Sequence, residues 1–512
     1  MTTRSPDLTA RILSEPSLVF GGSFPSPDPK LGLTLYGPYS KSTDSVRIGI
    51  VGDKTTTSQT AQLLEEFKRP VEGPTRHPRW TPSFPGVSLS SPFRCELVTS
   101  PKWYQTITSD EMGRLESIGQ LEKRVAYSVD LFVGYVRNLK ELEDPPHVVI
   151  CAPPRRMMDL CIPREARPGQ RRGKRSEAEE RVAAIRRSLH PSQRLLGDYF
   201  PELHTAEEEL LRAEASDNFH NFLKAKVMSL GVPTQMIRPY TLDAVFTRER
   251  GRLQDLATVA WNLCVALLYK TNARPWRLSE VMVGTCFVGV SFYREKAVFG
   301  GNMGTSLAQV FSPEGEGLVL RGERFEWPTG RSPHLSGAAA NRLLERAITL
   351  YTQHTKQKPR RVVLHKSSRF WEEELDGFRS ALEGVPKHDF VAIATRARRI
   401  KFYRQGYNPV MRGTTITLHD GSWLLYTKAY SSFLQVYPGP RVPRPLEILQ
   451  HEGDSPAEVI NEELLGLTKL NWNSADFSSL HPITLQFSRQ VGTILRELPP
   501  GVTPQTKYLF YM

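Results

Sequence analysis

The sequence predicts an α/β protein built from two units, and three observations carry that prediction. In the first half, strand-length apolar runs such as Val46-Arg47-Ile48-Gly49-Ile50-Val51-Gly52 and His147-Val148-Val149-Ile150-Cys151-Ala152 alternate with helical stretches. Such alternation favours a mostly parallel sheet with helices on both faces. In the second half, three strand-like runs joined by turn residues precede a helix and one further strand. The chain has 512 residues, enough for two or three domains with substantial cores.

Taken in order, residues 1–40 carry several Pro and Gly and little periodicity, with one edge strand expected over 31–36. A strand from Ser45 and a helix over 58–67 form a β-then-α unit. Residues 69–100 are Pro-rich and read as a long surface excursion. A helix over 117–141 ends before Pro145-Pro146, and the buried strand 147–152 follows. Residues 164–187 hold nine Lys or Arg against four Glu, so 9 − 4 gives +5. A solvated insertion is the plainer reading of that segment than a nucleic-acid-binding element.

His220 and Lys224 come next, four residues apart and therefore on one face of a helix. A Gly231-Val232-Pro233 turn brings Gln235 back toward them, and a helix over 255–269 ends at Lys270. Two lysines, a ring donor and an amide make a pocket for a terminal phosphate. The competing reading is an amphipathic helix with solvated lysines.

The second half continues with a strand over 284–292, antiparallel partners over 304–311 and 317–322, and a helix over 335–353. A strand over 360–365 and a helix over 370–382 complete it. Three antiparallel strands, a helix and a parallel strand are the order of a ribonuclease H-like fold. Domains of that kind cleave with two metal ions held by carboxylates at strand ends. The first strand here carries Ser291 where an acid is expected. The strand ending at His365 is followed by Lys366-Ser367, with no acid until Glu372. A hydroxyl does not replace a carboxylate against a hard divalent ion. Glu314, Glu316, Glu323 and Glu326 lie on a turn and read as solvated.

The net charge is +13 and the pI about 9.5, which points to a polyanionic partner. A second basic stretch has no acid between Phe390 and Leu418. There Arg396, Arg398, Arg399, Lys401, Arg404 and Arg412 interleave with Phe402, Tyr403 and Tyr407. Cations mixed with aromatics suit a channel that follows a sugar-phosphate backbone. The five cysteines form no C-x-x-C pair, and their odd count suits reduced thiols. The N-terminus is polar and broken by Pro6 and Pro16, and the longest apolar run is far below the ~20 residues of a membrane span. A cytoplasmic protein is expected.

With these residues in place, the sequence resembles the short prokaryotic Argonautes, which consist of MID and PIWI domains. The similarity is densest over 220–235, 361–378 and 460–495. The last stretch includes Glu463-Leu464-Leu465-Gly466-Leu467-Thr468-Lys469-Leu470-Asn471-Trp472-Asn473 and Pro482-Ile483-Thr484. Arg412-Gly413-Thr414, Leu425-Tyr426-Thr427 and Tyr437-Pro438-Gly439 extend it. The resemblance implies an N-terminal extension over 1–40 and a Rossmann-like MID domain over 41–240, with a basic insertion at about 164–192. A ribonuclease H-like PIWI domain over 241–512 follows, without the PAZ and N-terminal domains of long Argonautes.

The resemblance also implies roles. His220, Lys224, Gln235 and Lys270 fall on the family's pocket for the 5′-phosphate of a guide strand, and Ala266 stands where a further contact is missing. The terminal carboxylate of Met512 can help hold Mg²⁺ at the guide 5′ end. Ser291, Ser367 and Arg489 fall on positions of the slicing tetrad, so the PIWI domain is expected to be inactive. A guide RNA and a single-stranded DNA target are the expected nucleic acids. The expected partner is a protein with an APAZ region, fused to a TIR, sirtuin-like or nuclease effector of a defence system.

Overall fold

The computed structural model describes residues 8–161, 219–247, 255–279, 281–294, 303–312, 315–326, 333–394, 400–406, 408–418, 421–437, 442–486, 488–498 and 502–512. The basic insertion expected at about 164–192 lies outside the described residues.

The first half is built on a four-stranded sheet in the order Glu96–Thr106, Ser45–Gly52, Val148–Ala152, Thr234–Met236, with every pair parallel. Val148–Ala152 is buried along its whole length, as a parallel strand covered on both faces must be. The helix Lys54–Glu66 starts at a capping box between Asp53 and Thr56. The helix expected over 117–141 is Leu121–Lys140, and a further helix, Ser109–Ser117, precedes it. Ser109–Ser117 starts at a capping box between Thr108 and Glu111, and Leu121–Lys140 buries Val129, Phe132, Val136 and Leu139 at helical spacing.

Two expectations are corrected. Residues 31–36 form no edge strand but lie in the helix Pro29–Tyr36. Asp28 caps it by accepting from the Leu31 amide at 2.7 Å, Pro29 opens it, and Gly37 closes it at φ +71°. Proline at the start and glycine past the end are helix punctuation. Residues 69–100 are not a surface excursion. Phe84, Phe93 and Cys95 are fully buried, Phe84 meets Trp261 edge-on at 5.1 Å, and Glu96 already begins a strand.

The second half is a nine-stranded sheet. Its order is Ala10–Ile12, Thr414–Thr417, Trp423–Leu425, Leu446–Gly453, Lys387–Ala394, Arg361–Lys366, Thr285–Arg294, Met303–Phe311, Gly317–Glu326. The last three form the expected antiparallel meander. The helix Gly337–Thr355 then leads to Arg361–Lys366, parallel to Thr285–Arg294 in the register Lys366 to Val290. This is a ribonuclease H-like arrangement. The N-terminal residues are woven into it: Ala10–Ile12 adds an edge strand, and Leu18–Val19 pairs with Arg277–Leu278. One hydrophobic cluster runs from Ile48 in the first sheet through Trp261 to Ile460 and Met512, so the halves share a core. Among the described residues no helix is long and apolar enough to cross a membrane.

A buried ion network ties the second half together. Arg361, fully buried, donates from Nε to Asp389 at 2.8 Å and from its two terminal nitrogens to Glu463, once at 3.0 Å. Burial pushes the Asp389 carboxyl up, but His451, Ser455 and Arg361 together hold it well below the carboxylate range. Removing one member of such a network strands the others. Arg361→Met is expected to lower unfolding stability by about 3–5 kcal/mol, read by chemical denaturation. A loss under about 1 kcal/mol would show that the network carries little of the fold.

Candidate nucleic-acid interface

Four residues from three elements meet at the edge of the parallel sheet. The helix Phe219–Val227 carries His220 and Lys224 and runs into the 3-10 turn Met228–Leu230. Gly231 then adopts φ +69° with open space where a Cβ would be, so glycine serves the backbone turn alone. The chain reverses into Thr234–Met236, the outermost strand of the sheet, which carries Gln235. Lys270 is the last residue of Leu256–Lys270, a helix capped by Asp255, whose carboxylate accepts from the Thr258 amide at 2.9 Å. Thr234 opens its strand and pairs with Val149 near the start of Val148–Ala152, so the Lys224 contact to the Thr234 carbonyl lies at the amino ends of these parallel strands.

The electrostatics are unusual. Lys224 is 3% exposed and Lys270 is 1% exposed. The Lys224 ammonium donates to the Thr234 carbonyl and to the main-chain oxygen of Met512. The Lys270 ammonium has no hydrogen-bond partner in the structure. Burial pulls Lys224 down to about 8. Burial, then repulsion from Lys224, pulls Lys270 well below the normal lysine range. Burial and the same neighbour lower His220 to about 4, so its ring is neutral near pH 7; its Nδ1 lies 3.1 Å from Asn221 Oδ1. Gln235 donates to the Met236 carbonyl at 3.3 Å while its Oε1 stays without a partner. Gln235 and Ala266 line one cavity of about 260 Å³ with Asn262 and Asn473, while Lys270 lines another of about 510 Å³ with His147, Pro233 and Lys507. Lys224 is met by the Met512 oxygen, while Lys270 meets no acceptor among the described residues, so the cluster calls for a further anion.

The structure also brings the three tetrad positions together. Ser291 is buried in the strand Thr285–Arg294. On the same face, a Cβ on Gly289 would meet the Thr484 carbonyl at 1.9 Å, and one on Gly492 would meet Tyr293 at 2.9 Å. That face therefore packs on Ile483–Gln486 and on Ser488–Leu495, the helix that holds Arg489. Ser367 follows Lys366 at the end of the adjacent strand, one step beyond the Lys366 to Val290 pair. The nearby acid Glu374 is committed elsewhere: it takes the buried Lys366 ammonium at 2.6 Å and the amides of Leu335 and Trp371. Among the described residues no group of three or more His, Cys, Asp or Glu is placed to hold a metal ion.

The basic stretch divides. Lys401 and Arg404 are exposed beside Tyr403, which is 74% exposed, and the Arg404 guanidinium lies 5.6 Å from the Tyr430 ring centre. Arg396, Arg398 and Arg399 lie outside the described residues. Arg412 is a correction. It is buried and bound to Glu15 at 2.9 Å, to the carbonyls of Thr427 and Leu465, and to the Thr468 hydroxyl, so it locks the N-terminal segment and does not line a channel. Lys469, joined to the same Glu15 at 2.5 Å, does likewise. The sequence reading missed this cluster because Glu15 is 397 residues from Arg412. It also missed the Thr234 carbonyl, a backbone atom that carries no residue-type signal.

An unpartnered buried amine costs stability, about 1–3 kcal/mol for a donor left unsatisfied. Lys270→Met, close in length but apolar, is expected to raise the stability of the nucleic-acid-free chain by a similar amount in chemical denaturation. A destabilised variant would show that the ammonium is satisfied in the folded state.

Comparison with known proteins agrees with this geometry. A model of the Piwi domain matches residues 210–498. Protein argonaute of Aquifex aeolicus (strain VF5) is 24% identical over 289 residues, covering 55% of this chain and 36% of that protein. Clostridium butyricum Argonaute bound to a guide DNA and a 19-mer target DNA superposes with a TM-score of 0.63 at 14% identity, covering 97% of this chain and 54% of that one. Aquifex aeolicus Argonaute with externally bound siRNA gives 0.55 at 15% identity over 98% and 56%. Drosophila Piwi gives 0.55 at 13% identity over 98% and 56%. At these identities the structural likeness is one of fold, and the chain spans about half the length of the solved chains it matches. The Piwi match covers more than half of the sequence, and the chain belongs to the Argonaute family.

Proposed function

We propose that this chain is a guide-dependent nucleic-acid sensor that does not itself cut its target. It grips a guide strand, RNA in this reading, by its 5′-phosphate at His220, Lys224, Gln235 and Lys270, and pairs it with single-stranded DNA. The observation that carries the reading is the pair of buried lysines, one of them without a hydrogen-bond partner among the described residues, at the amino ends of a parallel sheet's strands. A terminal phosphate supplies the missing acceptors, and base pairing then reads the target while the protein holds backbone and shape. The relatives support the nucleic-acid part, since one is bound to guide and target DNA and another carries siRNA.

The absence of slicing rests on Ser291 and Ser367, hydroxyls where a two-metal site needs carboxylates. Recognition without chemistry requires a partner. In this proposal an APAZ-containing protein completes the nucleic-acid channel, and its TIR or sirtuin-like effector consumes NAD once target pairs with guide, in defence against invading nucleic acid. Target binding must favour the active state by a free-energy difference. Mg²⁺ at the guide 5′ end was tested on the donors present. Hard oxygens are the right donor type, but the Lys224 ammonium already takes the Met512 oxygen. The terminal carboxylate of Met512 keeps a second oxygen, so it would be the protein donor to Mg²⁺ in this proposal.

Lys224→Ala with Lys270→Ala is expected to abolish most of the preference for a 5′-phosphorylated over a 5′-hydroxyl strand. Each charge-assisted contact is worth roughly 1.5–3 kcal/mol, or about one to two decades of affinity. Full discrimination in the double variant would mean that the pocket is misassigned.

Co-expression with the neighbouring gene, followed by size-exclusion chromatography, is expected to yield a heterodimer. NAD should fall only with guide and matched target, and the chain alone should leave the target uncut with Mg²⁺ or Mn²⁺. Cutting by the chain alone at one defined phosphate would overturn the sensor reading. A complex that degrades nucleic acid and spares NAD would place the effector in the nuclease class.

A further inference from the structure

We propose that the cavity lined by Lys270, His147 and Lys507 is a second phosphate site, one that holds a chain of phosphates. The proposal rests on the phosphate-pocket reading above for where the guide ends, and goes beyond it in site and ligand. Two elements place the two cavities at opposite ends of the lysine cluster. On the edge strand Thr234–Met236, Met236 and Ile237 line the smaller cavity, while Gly231 and Pro233, ahead of the strand, line the larger. Between them stands Thr234, whose carbonyl takes the Lys224 ammonium. On the helix Leu256–Lys270, Val259, Asn262 and Ala266 line the smaller cavity, and Lys270 begins the lining of the larger, followed by Thr271 and Asn272. Thr43 and His147, also on the larger cavity, stand just ahead of the strands Ser45–Gly52 and Val148–Ala152. The larger cavity therefore lies at the amino ends of three parallel strands, beyond the lysines as seen from Gln235.

The cavity measures about 510 Å³, within the range of small-ligand sites. Its polar groups divide by what they already do. Thr43 donates to the Ser45 carbonyl at 3.0 Å, Thr271 to the Leu268 carbonyl at 2.7 Å, and Ser42 to the Thr271 hydroxyl at 3.1 Å, so these hydroxyl protons are spent inside the protein. The cationic and imidazole donors are not. Lys270 Nζ, buried, meets no acceptor among the described residues. Lys507 Nζ gives one N–H to Asn272 Oδ1 at 3.0 Å and keeps two. His147 Nδ1 accepts from the Arg47 amide at 3.2 Å, which leaves the ring proton on Nε2 as a further donor. No Asp or Glu stands among the described lining residues, and the terminal carboxylate of Met512 lies with Lys224. Gly231 leaves open space where a Cβ would be. Donors without acceptors and cations without acids call for a ligand rich in charged oxygens. Three donor groups spread around one cavity match a chain of phosphates, whose oxygens are spread likewise, better than one phosphate.

Two sources supply such a chain. One is the guide itself, where its 5′ end keeps a triphosphate: the first phosphate sits at Lys224 and Lys270, and the next two extend into the larger cavity. The other is a free polyphosphate, bound beside a guide that ends in a single phosphate. The chemistry at the cavity is the same in both cases: hydrogen bonds from two lysines and one imidazole to charged oxygens, with no bond made or broken.

The test uses the full chain and three fluorescein-labelled single-stranded RNAs of one sequence, ending in a 5′-hydroxyl, a 5′-monophosphate or a 5′-triphosphate. Affinity is read by fluorescence anisotropy. Inorganic triphosphate is also titrated by calorimetry into the chain alone and into its complex with the monophosphate RNA. A guide-borne chain should make the triphosphate RNA bind about tenfold or more tighter than the monophosphate RNA. A free chain should instead bind the monophosphate complex in calorimetry, while the two RNAs bind alike. In either case Lys507→Ala, at an exposed side chain, should weaken the triphosphate ligand about tenfold and leave the monophosphate RNA unchanged. Lys507→Glu should weaken it further. No gain from the triphosphate end, together with no calorimetric binding, overturns the proposal and leaves the terminal-phosphate pocket standing. A gain that survives both variants is bulk attraction to a basic chain and overturns it too. So does a variant that weakens monophosphate and triphosphate RNA equally, since the cavity then belongs to the first pocket. Equal binding of hydroxyl and monophosphate RNA overturns the pocket reading, and calorimetry on the chain alone then decides the second site.

Discussion

The arrangement depends on burying two lysines side by side where the parallel sheet of the first half meets the C-terminal turn of the second. Lys224 is held by the carbonyl of Thr234 from one half and the main-chain oxygen of Met512 from the other. Lys270 stands next to it with nothing to hold it. Such a pair costs stability in the free chain and is retained only where the environment is made for an anion. The two halves share one hydrophobic cluster that includes Ile48, Trp261, Ile460 and Met512, and that cluster fixes the C-terminal turn against the first half.

The second half has a different logic. Its sheet keeps the strand order and registers of a nuclease scaffold, and it gathers Ser291, Ser367 and the helix of Arg489 in one place. Buried acids of this half are engaged in ion pairs. Glu374 neutralises Lys366 and caps two amides, while Asp389 and Glu463 enclose Arg361. These are internal supports.

Much of this was legible in the sequence because it is local. Periodicity located the central strands of both sheets, Ser45–Gly52, Val148–Ala152, Thr285–Arg294, Met303–Phe311, Gly317–Glu326 and Arg361–Lys366, but not the strands from Glu96, Lys387, Thr414, Trp423 or Leu446, and the four-residue spacing of His220 and Lys224 placed them on one face. Where the reading failed, a local signal was overruled or overlooked. Asp28, Pro29 and Gly37 mark a helix, yet the short apolar run Leu31 to Tyr36 reads as a strand when taken alone. The prolines between residues 69 and 100 suggest a solvated loop, but Phe84 and Phe93 bury themselves against Trp261, more than 150 positions away in the chain.

By itself the sequence determined the α/β class and the ribonuclease H-like strand order, and it named His220, Lys224, Gln235 and Lys270 as candidates for a phosphate pocket. Each of these is carried by residue type and short-range spacing. Tertiary structure alone decided which cations are free to meet a ligand. Arg412 and Lys270 look alike on paper, as basic residues among apolar and aromatic neighbours. Folding brings Glu15 to Arg412 and satisfies it, while it brings only Lys224 and His220 near Lys270 and leaves it wanting. Whether a buried charge is compensated depends on partners hundreds of residues distant, and no local pattern encodes that.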